Sequence, residues 1–336
     1  MSETPATTRL PDESCTRLSV APMMERTDRY YRYFARLLAP DMLLYTEMVN
    51  ANAIVRGDPN RWLEYHDSEH PVALQLGGNE PAKLAAAAKV AEQFGYDEIN
   101  LNVGCPSDRV RSGAFGACLM GDAPLVADCV AAMSDAVSLP ITVKNRIGID
   151  DGEVCNDSYE FLAQFVETVS QGGCEMFIVH ARKAVLGGLS PKQNRSIPPI
   201  RYEVVAQLAR EFPHLRIVVN GAVRDSECVA ERLEEVAGVM IGRQAYKEPY
   251  WLAELNRQFL NPDYELPERP DVVAAMADYA AEVVQGRVRL HHVTRHMAGL
   301  YAGVAGARAW RRKLAALGSV DELAALAATP IERLNG

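Results

Sequence analysis

Leu18-Ser19-Val20-Ala21-Pro22-Met23-Met24 is a short β-rich apolar run that ends in a proline and two methionines. That ending separates two folds that both alternate strand and helix. A doubly wound sheet that binds a nucleotide carries a glycine-rich turn after its first strand, and none follows here. Outward from this stretch, similar runs recur at Met42–Tyr45, Val72–Leu76, Glu98–Asn102, Ile141–Asn145, Met176–His180, Arg216–Asn220 and Gly238–Ile241. Most are followed by stretches with helical spacing, such as Glu80–Phe94, Ala123–Val137, Tyr159–Gln171 and Tyr202–Glu211. Strands alternating with helices predict parallel βαβ units. Eight of them in sequence predict an α/β fold of the (β/α)8 TIM-barrel type over residues 18–260.

Barrel chemistry sits at the C-terminal ends of the strands. Thr46, Glu47, Gln75, Asn102, Lys144, Arg146, His180, Asn220 and the pair Gly242-Arg243 all fall at or just beyond those ends. Any one of them could cap a helix or satisfy backbone at the rim. As a set they mark a reactive mouth.

Around the barrel the chain is ordinary. Of 336 residues, 48% are hydrophobic and 24% charged, a globular composition rather than a disordered one. No apolar run is long enough for a membrane span. Residues 1–17 read as a polar tail. The seven cysteines are odd in number and form no Cys-x-x-Cys pair, so neither a disulfide framework nor a zinc site is supported, and no metal is expected. A reduced, cytoplasmic protein is the expectation. Residues 261–270, rich in proline and acid, predict a linker. Helical spacing resumes at Val272–Gln285, His291–Tyr301, Ala307–Leu317 and Val320–Ala328, which predicts a small all-helical domain over 271–336.

The net charge of −9 argues against a nucleic-acid partner. Its distribution argues the other way. From Gly286 to Val320 there are seven Lys or Arg, three His and no acid, and from His180 to Arg201 there are five Lys or Arg and no acid. Local fields govern docking, so these two stretches outweigh the total.

Cys105 lies in Asn100-Leu101-Asn102-Val103-Gly104-Cys105-Pro106-Ser107, just after the fourth strand. Glycine and proline beside it predict a tight loop at the mouth, with an accessible thiol able to serve as nucleophile or general acid. Cys118, Cys129, Cys174 and Cys228 fall in predicted helical stretches and read as small buried hydrophobes. Asn220-Gly221-Ala222 and Gly242-Arg243 occupy the loops after strands seven and eight, the common phosphate site of such barrels. Lys144 inside a central strand is costly unless it meets an anion.

In order along nearly the whole chain, Val20-Ala21-Pro22-Met23, Gln75-Leu76-Gly77-Gly78, Glu98 through Ser107, Thr142-Val143-Lys144, Ile178 through Arg182 and Asn220-Gly221 resemble the tRNA-dihydrouridine synthases. These are FMN-dependent reductases. The stretches His180–Pro199 and Gly306–Arg312 are similar to subfamily A, whose targets are uridines 20 and 20a of the tRNA D-loop. The resemblance implies that Pro22, Met23 and Met24 line the flavin and that Gln75, Lys144 and His180 contact it. It also implies that Asn220, Gly221, Ala222, Gly242 and Arg243 hold its phosphate, and that Cys105 gives a proton to the uracil C5. Asn102, Lys192, Arg195, Arg308 and Arg311 match or lie near RNA-contacting positions. NADPH or NADH is the implied electron donor, visiting transiently. Three features depart from the family pattern: Ala222 stands where a second glycine is usual, Arg26 where a bulky aromatic is expected, and the 148–157 loop is long and leaves Cys155 exposed. Alanine at 222 is compatible with a phosphate loop if its φ is negative. Two other functions fit parts of the pattern. A barrel reductase of a free small molecule would not need the cation-rich helices, and a non-catalytic RNA-binding module would not need Cys105, Lys144 and His180.

Overall fold

The structure, a computed structural model, describes residues 16–107, 113–286 and 288–335. All but the last two residues of the expected N-terminal tail lie outside that range, as do Arg287 and Gly336. The eight apolar runs form strands β1 (Leu18–Val20), β2 (Leu43–Tyr45), β3 (Val72–Gly77), β4 (Glu98–Val103), β5 (Ile141–Arg146), β6 (Met176–His180), β7 (Arg216–Asn220) and β8 (Gly238–Ile241). Each pairs in parallel with its neighbours. The order β2-β1-β8-β7-β6-β5-β4-β3 is closed by pairing of β2 with β3, so the sheet is a barrel.

Helices α1 (Arg29–Leu38), α2 (Pro81–Phe94), α3 (Ala123–Ser134), α4 (Tyr159–Ser170), α5 (Tyr202–Glu211), α6 (Ser226–Leu233) and α7 (Trp251–Phe259) belong to the same stretch of chain. Their starts follow from local chemistry. Asp28, Asp122, Ser158 and Asp225 each accept a backbone N–H of the first turn, satisfying donors that a helix cannot satisfy itself. The buried faces of α2 (Leu84, Ala87, Ala88, Ala91) and α4 (Leu162, Phe165, Val166, Val169) recur at helical spacing and join the large apolar layer outside the strands.

Inside the barrel a separate cluster of Ala21, Leu43, Tyr45, Ala73, Met176, Ile178, Val218 and Met240 fills one part of the interior. Along β3, β4 and β5 the interior is polar instead, with Gln75, Glu98, Asn100, Asn102 and Thr142 all buried.

Several expectations are corrected in detail. Cys174 lies in the turn before β6 rather than in a helix, though it is buried as expected. Cys118 sits in the short 3-10 turn Gly116–Gly121, and both it and Cys228 are only partly buried. The long 148–157 loop carries two short strands, Ile149–Asp150 and Cys155–Asn156, paired with each other; Ile149–Asp150 also pairs with Ala184–Val185, making a small second sheet. Cys155 is exposed on it.

Helix α8 spans Arg269–Val283, so the irregular segment stops at Glu268. Pro270 belongs to the first helical turn, where a missing N–H costs nothing. The stretch 291–301 is not one helix. It divides into the short helix Leu290–Thr294 and the 3-10 segment Arg295–Gly299. Helices α9 (Ala307–Ala315) and α10 (Val320–Ala327) complete the region. It meets the barrel through specific contacts: Tyr33 stacked on Tyr279 at 3.8 Å, Arg269 over the Tyr250 ring at 3.6 Å, and Asp28 bonded to both Arg295 and His296. Buried Trp310 donates to the Met297 carbonyl at 3.0 Å and ties α9 to the same segment.

Candidate active site

The C-terminal strand ends surround a cavity of about 670 Å³, within the range of small-molecule and cofactor sites. Pro22, Met23, Met24, Gln75, Asn102, Cys105, Lys144, His180, Asn220, Gly221, Ala222, Gly242, Arg243 and Arg195 all line it. Lys192 is exposed one residue beyond Pro191, which lines the cavity. Arg308 and Arg311 are exposed on α9 and do not reach the wall. Among the described residues the wall carries seven Lys or Arg (Arg26, Lys144, Arg146, Arg195, Arg224, Arg243, Lys247) and no carboxylate.

The loop after β1 is pinned by Thr27, whose hydroxyl accepts the Met23 N–H at 2.9 Å and donates to the Met23 carbonyl. Arg26 lies 4.5 Å over the Tyr246 ring. The guanidinium sits over an aromatic face, so the position where an aromatic side chain is expected carries a cation–π contact instead.

After β4, the Asn102 side-chain oxygen accepts the backbone N–H groups of Gly104 (3.2 Å) and Cys105 (3.0 Å), folding the loop back on the strand. Cys105 is half-buried, and its thiol points to Ser107 Oγ at 3.4 Å.

Lys144 on β5 donates to Asn220 Oδ1 at 3.0 Å, and Asn220 in turn donates to the Met240 carbonyl at 2.8 Å. The Asn220 side chain therefore sets the position of Lys144. With no carboxylate beside it, Lys144 is pushed down to about 7, by burial foremost and then by the Arg146 charge. His180 is held well below the usual histidine range by burial and by the charges of Arg146, Lys144 and Arg182, so its ring is neutral at neutral pH. Its Nδ1 has no hydrogen-bond partner among the described residues.

Arg146 was noted above only as a polar strand end. It is buried and donates to the carbonyls of Gly104 (2.9 Å), Lys183 (3.0 Å) and Asn194 (3.1 Å). It thus joins the Cys105 loop to the cation-rich segment after β6. The signal was its place two residues after Lys144, on the same face of the strand.

After β7, Gly221 has φ +117° and Ala222 φ +55°. Ala222 does not meet the condition of a negative φ, because the turn continues at positive φ through both residues. A side chain at Gly221 would approach His180 Nε2 to 3.2 Å and Ile200 Cδ1 to 3.0 Å, so close packing as well as φ demands glycine there. Arg243 opens a short helix after β8 and donates to the Arg195 carbonyl at 3.3 Å.

Among the described residues, no group of three or more His, Cys, Asp or Glu could hold a metal ion, and no helix is long and apolar enough to cross a membrane.

Comparison with known proteins agrees with this geometry. Residues 19–334 match the family model described as dihydrouridine synthase. The chain is 56% identical over 299 residues to the tRNA-dihydrouridine(20/20a) synthase of Salmonella typhi, covering 89% of each chain. It is 56% identical to that of Escherichia coli strain K12, covering 89% of this chain and 85% of the other. To the Yersinia pestis protein of that name it is 52% identical over 314 residues, covering 93% and 89%. Among solved structures, morphinone reductase shares the barrel fold, with a TM-score of 0.52 at 14% identity over 81% of this chain and 94% of that one. With the family model matched over nearly the whole chain and relatives above half identical, this protein belongs to the dihydrouridine synthase family.

Proposed function

We propose that this protein reduces uridine to 5,6-dihydrouridine at positions 20 and 20a of the tRNA D-loop, with FMN as resident cofactor and NADPH or NADH as transient electron donor. The observation that carries the reading is a cavity whose wall, among the described residues, is lined by cations and carries no acid, in a chain of net charge −9, with a half-buried thiol at its edge. Such a wall fits a phosphorylated, electron-accepting ligand. Lys144 without an anion and His180 with an unsatisfied ring nitrogen are groups that such a ligand would satisfy.

In this reading Pro22, Met23 and Met24 cover the cofactor ring, while Gln75, Lys144 and His180 bond to it. Asn220, Gly221, Ala222, Gly242 and Arg243 enclose its phosphate. FMN held by these residues, once reduced by the nicotinamide donor, would supply the hydride for uracil C6. Cys105 gives its proton to C5, so that the double bond is saturated with no net charge left on the ring. Lys144 offers its remaining N–H groups to negative charge near the cofactor, and neutral His180 serves as a hydrogen-bonding group rather than a cation. Asn102, Lys192 and Arg195 hold RNA at the mouth, and Arg308 and Arg311 hold it on a helical domain over 269–336, joined by the 261–268 linker to the barrel domain. The target base leaves its stack to reach the cavity. The chain works in the cytoplasm, where tRNA is available.

The test is direct. Purified protein carries a visible flavin absorbance, and converts uridine to dihydrouridine in bulk tRNA with a nicotinamide donor, read by mass spectrometry. Cys105→Ala retains flavin and its reduction by nicotinamide, but slows uridine reduction by on the order of 10²–10⁴. Turnover of a free pyrimidine at the rate of tRNA would identify a small-molecule reductase instead. Colourless protein that flavin does not stain would overturn the reading.

A further inference from the structure

Through the polar side of the barrel interior runs an unbroken series of side-chain hydrogen bonds that the reaction above does not use. Thr142 Oγ1 donates to Glu98 Oε1 at 2.6 Å, and Asn100 Nδ2 donates to Thr142 Oγ1 at 2.8 Å. Gln75 Nε2 donates to Asn100 Oδ1 at 2.8 Å, and Asn102 Nδ2 donates to Gln75 Oε1 at 2.9 Å. Asn102 Oδ1 then accepts the N–H groups of Gly104 and Cys105. The register makes this possible, since Gln75 lies beside Asn100, Asn100 beside Thr142, and Asn102 beside Lys144. Every side chain in the series is buried.

Such a series has a direction. A carboxamide can turn end for end without change of shape, so its partners decide which end is N–H and which is oxygen. A hydroxyl has one hydrogen. Once Thr142 gives it to Glu98, its oxygen can only accept, so Asn100 must present N–H to it. That turns the Asn100 oxygen toward Gln75, the Gln75 oxygen toward Asn102, and the Asn102 oxygen toward the Cys105 loop. Backbone N–H groups only donate, so the far end requires the same sense as the near end.

We propose that Glu98, at the floor of the barrel, is a positioning residue for the reaction. As terminal acceptor it fixes the orientation of the Gln75 and Asn102 amides, and through them the seat of Cys105 and the donors offered to the cavity. The catalytic part of the inference rests on the functional reading above. The hydrogen-bond direction does not.

Tyr45 supplies an internal control. Its hydroxyl also donates to Glu98 Oε1, at 2.7 Å, and the series from Thr142 to Asn102 does not pass through it. Thr142→Val and Tyr45→Phe each remove one hydroxyl donor from the same buried oxygen. A merely structural role predicts similar effects. The positioning role predicts that Thr142→Val lowers kcat for uridine reduction by about tenfold or more. It also predicts a shift of the bound flavin's visible band and little change in KM for tRNA. Tyr45→Phe stays within about twofold of the parent, and Thr142→Ser, which keeps the hydroxyl, restores most of the rate. Should Thr142→Val fail to fold, Glu98→Met breaks the series at its origin and is expected to behave as Thr142→Val does.

Amide hydrogen exchange over residues 103–107 of the flavin-loaded protein reads the series without catalysis. Exchange accelerates in Thr142→Val and Glu98→Met but not in Tyr45→Phe. Equal kinetics and equal exchange in the Thr142 and Tyr45 variants, or parental values in all of them, overturn the proposal. Parental protein without flavin or uridine reduction would overturn the functional reading, and exchange would still decide whether the series holds the Cys105 loop.

Discussion

At Ala222, as at Glu25 and Ala114, backbone and side chain disagree. With φ at +55° it holds a conformation that costs an alanine about 1–2 kcal/mol. Ala222→Gly removes that strain but gives the unfolded chain more freedom, worth about 0.4–1 kcal/mol. A net gain of up to about 1.6 kcal/mol is expected in urea unfolding, with flavin content unchanged. Glu98 gives a second prediction at this scale. Burial pushes its carboxyl up to about 7 from 4.5, so the folded protein binds a proton there that the unfolded chain has released. This contribution favours folding at low pH and declines as pH rises from about 4.5 to about 7, by on the order of 2–3 kcal/mol in all. Glu98→Gln abolishes that slope. Unfolding free energies of parent and variant at about pH 5 and pH 8 measure it, and an identical pH dependence in the two proteins would refute it.

At the scale of elements, the sequence patterns carried most of the barrel. All eight strands lie within one residue of the expected runs at both ends, because alternation inside β4 and β5 and apolar runs elsewhere leave little choice of register. Most of the cavity residues were legible for the same reason, since strand ends put Gln75, Lys144, His180 and Asn220 in one ring. Three features were not legible. The pairing of Ala184–Val185 with Ile149–Asp150 is a long-range contact between two-residue strands too short to carry a period. The role of Arg146 depends on three carbonyls from distant loops. The break of 291–301 into two segments has no local signal, and the second segment ends at a tertiary contact: a side chain at Gly299 would lie 2.4 Å from the Lys247 carbonyl oxygen and 2.7 Å from Pro249. Gly299→Ala therefore forces the helical region away from the segment 243–249 at the cavity rim. It is expected to destabilise by about 1–3 kcal/mol. Its KM for tRNA should rise while flavin content holds, as thermal unfolding and steady-state kinetics would show. A parental KM would mean that the seat of the helices on the rim does not govern RNA binding.

For the whole molecule the question is how an acidic chain holds RNA. Among the described residues the cavity wall carries no acid, and helix α9 has none, whereas the chain as a whole carries −9. If Lys192, Arg195, Arg308 and Arg311 contact phosphate, affinity for tRNA falls with salt by roughly 0.7–0.9 log units per contact per log unit of salt. Each single alanine variant then reduces that slope by about one and leaves flavin content unchanged. A side chain that reads a base or the shape of the loop loses affinity with the slope intact. Filter binding at several salt concentrations distinguishes these outcomes, and parental affinity and slope in all four variants would place the RNA on another face.

The one-sided wall has a consequence before any contact forms. With its cations gathered at the barrel mouth and a negative balance elsewhere, the molecule is an electric dipole whose positive pole is the entrance to the cavity. A polyanion approaching from the side or rear is repelled, and the field between the two bodies exerts a torque that turns the mouth toward it. Encounter is thereby restricted to productive angles, and reversing acidic charges far from the site would weaken that orientation and admit RNA at non-productive angles while leaving every RNA contact in place.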